Sequence, residues 1–299
     1  MPLAVFRKVK QAASNLNPRE VRAAADRPVG IAIIASTAEA LGRIETYFAP
    51  AHLSPDRRAQ SVRLLHRGGV GCDLEIYESN LLRPARAFSF DPDAPEDCVR
   101  RILRAREDLT LPLARNLYPF RKPAAYRIIR SVAKENALFC LATSLPDVVP
   151  GLSIPWALGE FGSDAAFLTM NQMRMAFQLA AASDRPIGFR EQRGEIASMI
   201  AGAFGWRALA RELIGKVPFG GGMIPKAAIA YAGTYAVGVS LERLYRLGFG
   251  FTREERKAVY EEAYENGRQI AGMLLDGLRR PKPVAVERPP DRAPASRAV

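Results

Sequence analysis

The strongest constraint on the fold is a helical periodicity that begins near Pro95 and continues through most of the remaining chain. Apolar residues recur there three and four positions apart, as on one face of an α-helix. Within this region, Thr252 followed by Glu255 is a capping-box signature, and Asp93 or a neighbour is expected to cap the first helix. Six helices are predicted, at residues 96–108, 123–143, 157–183, 191–214, 225–247 and 252–279.

The N-terminal part of the chain has a different pattern, in which short apolar runs alternate with one amphipathic helix. Ser36 or Thr37 is suited to cap that helix, and residues 50–56 are predicted to form a loop. A glycine-rich turn at residues 68–71 separates the last two strands. The predicted strands are residues 29–35, 61–66 and 72–77, and the helix is residues 38–48. This pattern indicates a small α/β layer.

Together these patterns predict an α-rich α+β protein, in which a small α/β layer is followed by a helical bundle with apolar helical hairpins. Residues 1–27 are predicted to be an N-terminal helix and linker, and residues 28–94 a small α/β domain of degenerate nucleotide-binding type. Residues 95–279 form the helical domain. Residues 280–299, rich in proline, alanine and arginine, are predicted to be a disordered basic tail.

Composition excludes several classes of protein for this 299-residue chain. Three cysteines are too few for a disulfide scaffold or a cysteine-built zinc site, and they fit a reducing compartment. The two histidines, His52 and His66, have no metal-ligand partner at helical spacing. A mean hydropathy of −0.08 argues against a transporter with many long apolar spans. No cofactor and no catalytic constellation are predicted, so the protein is not expected to be an enzyme.

The formal charge of +12 points to an anionic partner. The basic residues are scattered along the chain, and no nucleic-acid-binding motif accompanies them. Nucleic acid is therefore the less favoured partner, and an acidic membrane surface the more favoured one.

The turn after the first strand is where a phosphate-binding P-loop would lie. The positions of its two glycines hold Ala35 and Ala40, and Leu41 stands where the phosphate-binding lysine belongs. Glu39 adds a negative charge beside the place of the phosphates. The P-loop is therefore degenerate, and a structural strand–helix unit is the preferred interpretation.

The densest glycine cluster, at Gly220, Gly221 and Gly222, precedes a helix and is flanked by Lys216 and Lys226. Such a cluster is a weak candidate for an anion-binding nest. A tight turn between packed helices is the favoured alternative, since the spacing matches no phosphate fingerprint.

Residues 227–241 carry no charge, and small residues recur four apart along them. This spacing allows close helix packing, as in bilayers, but 15 residues span only about 22 Å of a hydrocarbon layer roughly 30 Å thick. The helix is therefore either buried in a protein bundle or turned towards a membrane. Candidate residues for this packing or membrane face are Ala228, Ala232, Ala236 and Ser240, together with Trp156 and Trp206.

Residues 137–159 are apolar, but Pro146, Pro150 and Pro155 prevent one straight helix through them. A helical hairpin is predicted, which either dips into a membrane or turns within a protein core. Farther along, Asn171 and Arg174 are expected to bond to backbone where helices break, while Glu160 and Asp164 can pair with Arg174 or a neighbouring helix.

Short motifs in the helical region lie at residues 136–137, 145–147, 164, 171–174, 203–206, 218–222, 225–235 and 238. These motifs resemble a bacterial family of unknown function whose helical domain often follows an Era/Obg-like GTPase domain and is membrane-associated in many members. The resemblance covers roughly residues 130–275. It implies a GTPase-linked protein whose N-terminal half has lost hydrolysis, since Leu41 replaces the P-loop lysine and no NKxD-type motif is present.

The expected function is a non-enzymatic, membrane-associated helical module linked to a GTPase-type system. Its expected place is the cytoplasmic side of the membrane or the cytoplasm, and its expected partners are an anionic membrane surface, a GTPase or another copy of itself. The alternatives are a soluble oligomerising scaffold and a divergent nucleotide-binding protein.

Overall fold

The computed structural model describes residues 17–68, 71–144, 164–199 and 222–279. The described residues are 68% helical and contain one small sheet of four parallel strands. The prediction of an α-rich α+β fold is therefore confirmed.

The sheet has the strand order β2-β1-β3-β4. Its strands are β1 (Ile31–Ile34), β2 (Leu65–Arg67), β3 (Leu74–Glu78) and β4 (Phe88–Phe90). Ile31 is opposite both Leu65 and Leu74, so β1 lies between two strands that come later in the chain. The connection after β1 leads to β2 on one side of β1, and the connection after β2 leads to β3 on the other side. This change of direction places a topological switch point between β1 and β3.

Three short helices accompany the first part of the sheet: α1 (Pro18–Ala25), α2 (Ala38–Phe48) and α3 (Pro55–Val62). The bounds predicted for α2 are confirmed. Thr37 is its N-cap, and the Thr37 hydroxyl accepts a hydrogen bond from the amide of Ala40 at 3.1 Å.

Several predictions for this part of the chain are wrong. Residues 55–62, assigned partly to a loop and partly to a strand, form α3, whose first turn contains Pro55. The apparent strand began at Ser61, but the Ser61 hydroxyl donates to the carbonyl of Asn116, a contact 55 residues away that sequence periodicity cannot reveal. The two strands predicted on either side of the glycine turn are present as β2 and β3, and both pair with β1. Strand β4 was not predicted.

The remaining elements in the described part of the chain are helices. They are α4 (Pro95–Ala105), a 3-10 turn (Glu107–Leu109), α5 (Thr110–Asn116), α6 (Tyr118–Thr143), α7 (Asp164–Ala182), a helical stretch at residues 193–199, α8 (Met223–Leu247) and α9 (Arg253–Arg279). The capping box is confirmed: Thr252 and Glu255 exchange side-chain-to-backbone hydrogen bonds of 2.9 and 3.2 Å.

Two helix starts differ from the predicted ones. The N-cap of α4 is Ala94, which has no capping side chain, so capping by Asp93 is wrong. Helix α6 begins at Tyr118, five residues earlier than predicted, with Pro123 inside it. Pro123 lies in the second turn, where its missing N–H removes a single backbone hydrogen bond.

One hydrophobic core joins the sheet to the helices. It extends from Val29 and Ile31 of the sheet region to Tyr245 of α8. The stacked rings of Phe48 in α2 and Phe120 in α6, with centroids 5.8 Å apart, lie at the junction. The change in sequence pattern near residue 95 therefore does not separate two hydrophobic cores.

Candidate functional site

Four helix ends meet at one end of the bundle. The last turns of α6 and α9 and the first turns of α7 and α8 form a cluster of apolar side chains there. Phe139 and Phe167 stack at its centre with ring centroids 3.9 Å apart. We call this end the apolar pole; its partly buried residues are Leu168, Met170, Met223, Ile224, Ile270 and Leu274.

Four uncharged helix segments build the apolar pole, although charged residues lie beside them at the helix ends: Asp164, Lys226, Asp276 and Arg279. Residues 137–143 of α6, 165–173 of α7, 227–241 of α8 and 269–275 of α9 contain no charged residue. Met273 of α9 is 66% exposed, although it is a large apolar side chain.

The opposite end of the bundle is rich in ion pairs, such as Arg246 with Glu242 and Arg243 with Glu255. These ion pairs of α8 and α9 therefore lie at the end of the bundle away from the apolar pole.

Three segments outside the described residues are attached at the apolar pole. Residues 145–163 connect Ser144 to α7, residues 200–221 lead to Gly222, and residues 280–299 follow α9. The first of them has only two charged residues among 19, whereas the last has five basic and two acidic residues. Trp156, Trp206, Lys216, Gly220 and Gly221 lie in these segments, outside the described residues.

Of the proposed anion nest, the structure describes only Gly222 and Lys226. Gly222 is the N-cap of α8 with an ordinary extended backbone conformation, and its carbonyl accepts a hydrogen bond from the Lys226 amide at 3.3 Å. Both residues are exposed.

The small residues of α8 face two different helices. Ala228, Ala232 and Ala236 are buried with Tyr260 and Tyr264 of α9. On another side of α8, Thr234 bonds to Asn136 of α6, and a Cβ atom on Gly238 would lie 2.7 Å from Ile129 of α6. The half-buried Ser240 donates a hydrogen bond to the carbonyl of Ala236. Protein therefore covers the stripe of alanines, and the small residues allow α8 to approach both neighbours closely.

A polar layer crosses the middle of the bundle. The side-chain amide of Asn171 donates to the amide oxygen of Asn136, and that of Asn136 donates to the hydroxyl of Thr234, both at 2.7 Å. All three residues are buried. One turn farther along α7, Arg174 forms a largely buried ion pair with Glu135. The prediction that Asn171 and Arg174 bond to backbone at helix breaks is therefore wrong, because both lie inside α7 and bind side chains of α6.

At the switch point of the sheet, a carboxylate occupies the turn that was tested as a P-loop. Glu78, the last residue of β3, accepts hydrogen bonds from the Ser36 amide at 2.8 Å and the Ser36 hydroxyl at 2.6 Å. These two bonds, with a smaller contribution from the charge of Arg43, hold the pKa of Glu78 below its ordinary value. A phosphate at this turn would have to displace an anion that the chain itself supplies. Sequence reasoning missed Glu78, whose pairing with Ser36 depends on strand order.

No metal centre or membrane span is found in the described part of the chain. No group of three or more His, Cys, Asp or Glu side chains is placed there to hold a metal ion. Likewise, none of the described helices combines the length and apolar character needed to cross a membrane.

Comparison with known proteins identifies no relative: no family model, no curated protein and no solved structure matches this chain.

Proposed function

We propose that this protein is a non-enzymatic helical module that rests its apolar pole on an anionic membrane surface. The observation that carries the proposal is the cluster of uncharged helix segments at one end of the four-helix bundle, with the apolar side chain of Met273 66% exposed there. A bundle buried on all sides by its own chain has no need to collect such segments at one pole. A bundle that contacts the interfacial region of a bilayer does.

The attachment points of the connecting segments support the same arrangement. The described helix ends that adjoin the proline-rich apolar segment 145–163 and the basic segment 280–299 lie at the apolar pole. A shallow apolar contact and basic residues near lipid phosphates reinforce each other, since each basic residue contributes about 1 kcal/mol at an anionic surface.

The small-residue stripe of α8 has a different role in this proposal. Because Ala228, Ala232 and Ala236 pack on α9, they hold the bundle together and are not the lipid contact. The contact consists of residues at the helix ends, of which Met273 is the most exposed large apolar residue in the described part of the pole. We place the protein on the cytoplasmic side, in keeping with its three cysteines, none of which forms a disulfide.

The link to a GTPase partner rests on the sequence resemblance over residues 130–275. It is tested separately, by cross-linking in cells followed by mass spectrometry of the captured proteins. Recovery of a GTPase domain protein above the level seen with an unrelated bait supports the link, and its absence from replicate captures removes it.

Vesicle flotation tests the membrane proposal. The full chain is expected to float with vesicles containing anionic phosphatidylglycerol at low salt, and to float less with neutral phosphatidylcholine vesicles or at high salt. Met273→Asp is expected to reduce flotation. Leu82→Asp is the matched control, since Leu82 is 99% exposed but follows β3, away from the pole. Absence of flotation with acidic vesicles at low salt would contradict the proposal.

The alternative occupant of the apolar pole is a second copy of the chain. In that case light scattering would show a stable dimer without lipid, and Met273→Asp would convert the dimer to a monomer. These two results together would indicate that the apolar pole mediates self-association rather than membrane binding.

A further inference from the structure

At the charged end of the bundle, two arginines are paired with a single carboxylate. Asp184, in the turn after α7, is paired with both Arg57 of α3 and Arg121 of α6. The Asp184 side chain is only 8% exposed, whereas those of Arg57 and Arg121 are 46% and 28% exposed. Two guanidinium groups therefore share one carboxylate, and the group of three carries a net charge of +1.

The neighbouring charged residues do not neutralise this net positive charge. Arg115 lies beside the cluster, where its carbonyl accepts a weak hydrogen bond from Arg121, but Arg115 is itself paired with Asp26. Arg185 follows Asp184 in the chain and donates to the carbonyl of Tyr245. The described contacts thus add no further carboxylate to the pair formed by Arg57 and Arg121.

The burial and charge environment of Arg121 also favour a further anion beside the cluster. Burial lowers the pKa of Arg121, and the charge of Arg57 lowers it further, against the opposing effect of Asp184. The Nε–H group of Arg121 is buried and has no hydrogen-bond acceptor among the described residues. A ligand from solvent does not reach this Nε–H group, but the exposed part of the Arg121 guanidinium group, with a like charge beside it, gains from an additional oxyanion.

We propose that Arg57 and Arg121 form a binding site for a phosphate group, with Asp184 as an internal counter-ion that limits its affinity. The exposed part of each guanidinium group donates to phosphate oxygens, which accept several hydrogen bonds at once. At the rim of the site, Tyr118 lies under the guanidinium group of Arg121 and packs edge-on against His52. These rings can contact the organic part of a phosphomonoester.

The site is independent of the apolar pole and of the degenerate P-loop. It is built by α3, α6 and the turn after α7, and uses no residue of the glycine cluster or of the turn at Ser36. Failure of membrane binding therefore does not contradict the phosphate site, and failure of phosphate binding does not contradict the membrane proposal.

Isothermal titration of the full chain with inorganic phosphate, and separately with adenosine monophosphate, tests the proposal. Asp184→Asn is expected to strengthen binding roughly tenfold, because it removes the competing charge. Asp184 has a positive φ of 58°, and asparagine tolerates that conformation. Arg57→Gln is expected to weaken binding by a similar factor. Arg86→Gln, which removes an exposed arginine paired with Glu75, should leave binding unchanged.

The two probes identify the source of the phosphate. Equal binding of both indicates that free phosphate suffices, whereas tighter binding of the monophosphate, lost in Tyr118→Ala, indicates a phosphomonoester with a planar ring. Thermal unfolding of each variant shows whether it is folded. The proposal is overturned if neither probe binds to wild type or to folded Asp184→Asn. It is also overturned if both Asp184→Asn and Arg57→Gln leave the affinities unchanged.

Discussion

The carboxylate of Glu78 bonds to both the amide and the hydroxyl of Ser36, and thereby joins the end of β3 to the turn between β1 and α2. In nucleotide-binding sheets, backbone amides at this position bind a phosphate. Here a side chain from the neighbouring strand fills that role. The turn is therefore stabilised without a ligand, which agrees with the missing P-loop residues.

Stability is expected to depend on pH through Glu78. Because its folded-state pKa is below the ordinary value of 4.5, the bond to Ser36 contributes stability above that value and loses it as pH falls through the folded-state pKa. Glu78→Gln should therefore destabilise the protein at neutral pH, and the difference from wild type should shrink in acid. Urea unfolding across this pH range measures it. Glu39→Gln, at an exposed carboxylate in the first turn of α2, is the control and should have little effect at any pH.

The polar layer is expected to stabilise the bundle as a unit. Asn136→Ala leaves Asn171 without an acceptor and Thr234 without a donor, and should lower the free energy of unfolding by about 2–4 kcal/mol. Thr234→Val removes one partner at nearly constant volume and should cost about 1–2 kcal/mol. If the two effects add without coupling in the double variant, the layer does not act as a network.

Close approach of α8 to α6 is expected to depend on Gly238. A Cβ atom there would lie 2.7 Å from Cγ1 and 2.8 Å from Cγ2 of Ile129, so Gly238→Ala should destabilise the protein by about 1–3 kcal/mol. Gly233 lies in the same helix, and a Cβ atom there meets nothing within 4 Å among the described residues. Gly233→Ala should therefore stabilise by up to about 1 kcal/mol. Thermal unfolding compares the two variants, and equal destabilisation would argue against close packing at Gly238.

The three cysteines are expected to differ in reactivity. Cys98 and Cys140 are buried, and burial raises the pKa of Cys98 to about 12, whereas Cys72 is partly exposed. Brief treatment of the folded protein with iodoacetamide near neutral pH should modify Cys72 and spare the other two. Peptide mass spectrometry identifies the modified residue. Rapid labelling of Cys98 in the folded protein would contradict the burial seen here, and denatured protein, labelled at all three, is the control.

The local signals of the sequence determined most of the secondary structure. The helix at residues 38–48 with its N-cap Thr37, and the capping box of Thr252 and Glu255, were both predicted correctly. Both caps depend on contacts within one helical turn. The lack of a P-loop was also evident, since Ala35, Ala40 and Leu41 are the wrong residues for it whatever surrounds them. The small-residue spacing of α8 correctly indicated close packing, but not which helices it packs against.

Only the tertiary structure decided how distant residues meet. Glu78 reaches Ser36 because β3 pairs with β1, and Ser61 belongs to a helix because its environment includes Asn116. Asn136, Asn171 and Thr234 are each unremarkable in sequence, and Arg57, Arg121 and Asp184 lie far apart along the chain. Their hydrogen bonds and ion pairs depend on helix order and direction, which local periodicity does not encode. The sequence by itself therefore determined which segments are apolar or charged and where most of the helices lie, whereas tertiary packing alone decided that the uncharged segments of four helices lie side by side at one end of the bundle.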